Sequence, residues 1–224
     1  MQNQNFIKIG KDTLIDDEYQ GLKNLVMSYL NFKRDQNNQI TTSLMLLCQE
    51  LGIPYHSPKV RNAQLVTKII QSLIDQGKLV FEPRIATSLS DLGGLTPFVL
   101  TVTSQFTDYT SNFVMLTQDE MFKFTQYILY NSTTVRSTKV FNTFLIIKSY
   151  MNMNPNSTPY CSLSLSKLGV LSGLHRLSLK VAITILEIAN LIYTTHYSSS
   201  NSVVHTIYTL TPCSDEDLAN IISI

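Results

Sequence analysis

One series of signals occurs twice in this sequence, once around Gly52 and again around Gly173. Each copy has an amphipathic segment, a short apolar stretch, a glycine turn, and a longer stretch of helical periodicity. A stop residue and two alternating, strand-like runs follow. The stop is Gly77 in the first copy and Asn190 in the second. Glycine, and after it asparagine, tolerates the left-handed backbone that ends many helices. A chain that repeats such an order is bound to build similar local structure twice. Its 224 residues suffice for two small units or one large one.

In the first copy, residues 6–9 suggest a lead-in strand. Residues 16–33 read as a helix: acids crowd its first turn, and Leu22, Leu25, Val26, Tyr29 and Leu30 fall at helical spacing. Residues 34–39 are polar and read as a loop. Thr42 is placed to cap a helix with the face Leu44, Leu47, Cys48 and Leu51, and Asn62 to cap the next. Residues 79–81 and 98–103 would pair as strands, with Gly93 and Gly94 in the long loop between them.

In the second copy, Thr117 and Glu120 have capping-box spacing, and residues 138–151 form a further apolar-faced helix. Ser164 caps the short helix before Gly173. Residues 175–189 make the longer one, with Leu179, Ala182, Ile183 and Leu186 inward. Residues 192–197 and 203–210 alternate as a hairpin that sets His196 opposite His205. Residues 214–224 read as a terminal helix, capped by Ser214, that docks through its isoleucines.

The net charge is only +1, yet its distribution is uneven. Residues 1–110 balance. Residues 121–210 hold Lys123, Arg136, Lys139, Lys148, Lys167, Arg176 and Lys180 against Glu187 alone. A basic half beside a neutral half fits a phosphate-facing unit joined to one with another task. Cys48, Cys161 and Cys213 are odd in number and scattered, as expected of reduced, buried thiols. With no signal-peptide pattern and no long apolar run, a cytoplasmic protein without membrane contact is expected.

Residues 164–193, with their glycine turn, inward Ala182 and Ile183 and closing Leu186-Glu187, resemble the helix-turn-helix of winged-helix DNA-binding proteins. Two such units in one chain, one charged and one neutral, resemble plasmid replication initiators. The resemblance implies a mainly α fold with small β-hairpin wings, arranged as two tandem winged-helix modules. It places the first at 1–103, a linker at 104–116, the DNA-binding second at 117–213 and a tail at 214–224. The partner it implies is double-stranded DNA, contacted without metal or cofactor. The task would be plasmid replication initiation or transcription regulation, alongside replication or transcription proteins. A homodimer is expected, assembled through the first module. The candidate contacts are Lys167, His175, Arg176, Ser178, Lys180, Thr184, His196 and Asn201 in the second copy, and Lys59, Arg61, Gln64, Thr67 and Lys68 in the first.

An enzyme is not expected. Ser164 and Lys167 match Ser-x-x-Lys, but the partner motifs of that chemistry are missing and helix capping explains the serine. No phosphate-binding glycine loop, nucleophile elbow or zinc-binding helix motif occurs, and the four histidines lack ligand spacing. Two rivals carry a distinct sign each. An interaction scaffold would show mixed charge on both longer helices, and a ligand sensor would show a deep apolar cavity between the units.

Overall fold

The structure, a computed structural model, describes residues 6–14, 17–59, 61–82, 89–103, 106, 112–131, 135–152, 158–198 and 204–222. Strand β1 (Phe6–Gly10) precedes helix α1 (Glu18–Lys33), whose N-cap Asp17 accepts from the Gln20 amide. The expected start at Asp16 lies outside the described residues. β2 (Gln39–Thr42), α2 (Leu44–Glu50), α3 (Arg61–Asp75), β3 (Leu79–Glu82) and β4 (Phe98–Val102) complete the first half. The second half runs β5 (Phe113–Thr117), α4 (Gln118–Tyr130), α5 (Ser137–Ser149), β6 (Tyr160–Cys161) and α6 (Leu165–Ser172). It continues through α7 (Arg176–Ile188), β7 (Tyr193–Ser198), β8 (Val204–Thr209) and α8 (Asp215–Ile222).

Among the described residues, eight α-helices thus mix with three antiparallel sheets, ordered β1-β5, β2-β4-β3 and β6-β8-β7. This α/β mixture corrects the expectation of a mainly α protein made of two tandem winged-helix modules with hairpin wings. Each expected hairpin is part of a three-stranded sheet, because β2 and β6 join from earlier in the chain. β5 occupies part of the expected linker, and its pairing with β1, from Phe6 opposite Thr117 to Gly10 opposite Phe113, ties the halves together. Buried residues of both halves form one continuous apolar cluster.

The local signals fared better. Gly52, Gly77, Gly173 and Asn190 all adopt positive φ, between 53° and 69°. Thr117 and Glu120 close a capping box at α4, and the Ser164 hydroxyl accepts from the Lys167 amide. Two caps differ. Ser43, not Thr42, caps α2, since Thr42 is buried in β2, and Asn62 lies inside α3. At the tail, Ile221 is buried and Thr158 donates to Asp217 at 2.5 Å, which docks α8. Ile224 lies outside the described residues. Cys48 and Cys161 are buried thiols, whereas Cys213 is half-buried. No single helix among the described residues is long and apolar enough to cross a membrane.

Candidate nucleic-acid interface

The basic excess of the second half is largely spent within the fold. Lys123 pairs with Asp119 at 2.8 Å, Lys148 with Glu120 at 2.5 Å, and Arg136 with Glu18. The Lys139 ammonium donates to the Ser172 carbonyl at 3.3 Å. Lys167 is exposed, with its ammonium 5.6 Å from the centre of the Tyr150 ring. Arg176 and Lys180 are exposed at the start of α7.

Helices α6 and α7 meet at a 93° bend across Gly173. The approach is tight: a Cβ on Gly169 would lie 3.0 Å from the Leu174 carbonyl oxygen. His175 occupies the N-cap of α7 without a side-chain cap, so no side chain closes the first turn. His175, Arg176, Lys180 and Thr184 are exposed as the sequence suggested, but Ser178 is half-buried toward the core side. The centre of the solvent face is apolar. Leu177 is 79% exposed, Val181 39% and Ile188 60%, and Val170 on α6 is 79% exposed. These residues are absent from the expected contacts, which follow the polar positions of the outer face. The four, three, four spacing of Leu177, Val181, Thr184 and Ile188 is a second stripe on the opposite side and could have been found.

In the hairpin, His196 is exposed, with Nδ1 3.2 Å from the Thr206 hydroxyl. Asn201 lies outside the described residues. The expected His196–His205 pairing is corrected by the register. His196 sits opposite Thr206, and His205 stacks on Tyr197 with ring centres 5.0 Å apart. Cross-strand partners share a face and neighbours along a strand alternate, so the two histidines point to opposite faces.

The first half presents a different surface. Lys59, Gln64, Lys68 and Gln71 are exposed, and no large apolar side chain of α3 is. Thr67 is half-buried and donates to the Ala63 carbonyl at 3.0 Å, so it is partly withdrawn. Arg61 is exposed but lies 3.1 Å from Glu18, the carboxylate that Arg136 also reaches. Two guanidiniums share one carboxylate where α3 starts, a cluster assembled from both halves. Asp17, beside Glu18, is the neighbouring acid in sequence and serves as the α1 N-cap.

A hollow of about 190 Å³ lies between α1 and α4, walled by Phe32, Met121, Phe122 and Leu129. That is below the roughly 300 Å³ from which drug-sized ligand sites begin. A cleft of about 400 Å³ between β1, α1 and the end of α3 carries Gln20, Lys23, Asn24 and Lys78, so it is not the apolar cavity of a sensor. No protein-family model matches this sequence, and no curated protein matches it either.

Proposed function

We infer that this protein binds duplex DNA and that α3 is the helix that meets it. The observation that carries this reading is the exposed face of α3, where Gln64 and Lys68 stand one turn apart with no exposed apolar side chain on the helix, and Lys59 is exposed just before it. Glutamine reads adenine edges and lysine reads guanine or holds phosphate, so this face has the chemistry that a major groove demands. The Arg61–Glu18–Arg136 cluster sets two exposed guanidiniums at one end, within reach of a phosphate. The act is binding and not catalysis, and plasmid replication initiation or transcription regulation in the cytoplasm is the task it would serve.

Capture of genomic fragments by the purified protein identifies the site, and mobility shifts over a salt series then test the helix. Lys68→Ala should weaken all sequences alike and reduce the salt slope by about one. Gln64→Ala should cost about 1–3 kcal/mol and relax preference at one base pair. Failure to retain any fragment removes DNA from the reading, and unchanged binding in both variants removes α3 from it. A second reading, a protein-interaction role, is favoured by the exposed Leu177, Val181 and Ile188 on α7.

A further inference from the structure

The geometry points to α7 as a self-pairing helix: two copies of this chain associate with their α7 helices antiparallel, Leu177 of each against Ile188 of the other. The inference is independent of DNA binding and starts from exposure. Soluble surfaces scatter single apolar side chains, but Leu177, Val181 and Ile188 share one helix face with Val170 close by on α6. At about 100° per residue, Leu177, Val181, Thr184 and Ile188 fall within an arc of about 60°. Their alternating four and three spacing is that of a two-helix seam.

Charge selects the occupant and its direction. Arg176, Lys180 and Glu187 lie together on one flank of the stripe, within an arc of about 40°. If two α7 helices ran parallel, the charged flanks of the two copies would lie on opposite sides of the seam, and Glu187 would meet no cation of the other copy. If they run antiparallel, with Leu177 level with Ile188 and Val181 level with Thr184, like flanks face each other in opposite directions. Glu187 then comes level with Ser178 of the other copy, midway between Arg176 and Lys180 and about 3 Å along the axis from each. The single acid of residues 121–210 therefore lands between two cations, and the two-fold axis repeats the arrangement. One register satisfies the apolar stripe and the charges together, and it needs nothing but a second copy. One helix pair with Val170 at its edge is smaller than a standard interface, so the dimer is weak and concentration-dependent.

Sedimentation equilibrium of the full chain without DNA, over a concentration series, reads the association. The weight-average mass should rise from monomer toward dimer. Leu177→Asp should weaken the dimer by about tenfold or more. Glu187→Lys should weaken it too, as should the double variant R176E/K180E, because each places like charges opposite one another. All these positions are at least partly exposed, and unchanged melting curves will confirm folding. Mixing the Glu187→Lys chain with the R176E/K180E chain should restore association, since every facing pair is then opposite in sign. A wild-type chain that stays monomeric, a dimer indifferent to Leu177→Asp, or a mixture that does not recover would overturn the pairing. None of these results touches the Gln64 and Lys68 variants that test DNA binding.

Discussion

The Lys148 ammonium lies 2.5 Å from a Glu120 carboxylate oxygen, and the two side chains are only 11% and 14% exposed. Glu120 also accepts from the Thr117 amide at 2.8 Å, so one carboxylate caps α4 and anchors α5. Removing one partner of a nearly sealed pair leaves the other charge uncompensated. Lys148→Ala should therefore cost about 2–3 kcal/mol, more than loss of an exposed pair such as Lys123–Asp119, worth about 0–1 kcal/mol. Denaturant melts of the two alanine variants will give the order.

Gly52 and Gly77 separate backbone strain from crowding. Both have positive φ, 63° and 69°. A Cβ on Gly77 would meet open space, whereas one on Gly52 would lie 2.1 Å from Ile128 Cγ2 and 3.2 Å from Ser137 Cβ. Gly77→Ala should cost about 1–2 kcal/mol, the left-handed penalty alone. Gly52→Ala should cost about 1–3 kcal/mol beyond that, because it wedges the two halves apart. Equal losses in urea unfolding would show that Ile128 steps aside freely.

Glu18 offers a gain-of-function test of the DNA reading. Its ion pairs with Arg61 and Arg136 are exposed, so Glu18→Gln should change stability by less than about 1 kcal/mol. It frees both guanidiniums at the start of α3, and DNA binding should tighten with a steeper salt dependence. Equal affinity for DNA across the salt series would place the cluster away from the phosphates.

Alkali should weaken the fold. Burial pushes the Cys48 thiol up from 9.0 to about 12, and burial, with Cys161 and Glu187 nearby, pushes the Tyr208 phenol up to about 12. The folded chain holds these protons more tightly than the unfolded chain, so their contribution is complete below pH 9 and falls as pH rises toward 12. Each group costs about 1.4 kcal/mol per pH unit within its window. Cys48→Ala should lower stability at neutral pH and yet flatten the alkaline decline, as melting temperatures across the series will show.

The elements visible in the sequence were those with a local cause. Gly52, Gly77, Gly173 and Asn190 gave away both turns and both stops, since few other residues tolerate that backbone. Capping spacing located α4 and α6 in the same way. Strands β2 and β6 were hidden because their pairing is remote. Gln39–Thr42 buries one large apolar residue, Ile40, and Tyr160–Cys161 is two residues long, so neither shows a period. The surroundings of the candidate contacts were hidden for a related reason: Arg61 reads as a free cation until the fold brings Glu18 beside it. Leu177 lies off the inward stripe of Leu179, Ala182, Ile183 and Leu186, and only the fold shows that nothing covers it.

The β1–β5 pairing also orders events during synthesis. A ribosome releases residues 6–10 early, but their partners, residues 113–117, come only after the whole first half. Until then Ile7 and Ile9, nearly sealed in the finished fold, have no sheet to join. Long-range strand pairing closes slowly and leaves such segments open to other partners. The nascent first half therefore carries an unsatisfied strand edge through its own translation. Slow codons just before position 113 would lengthen that exposure.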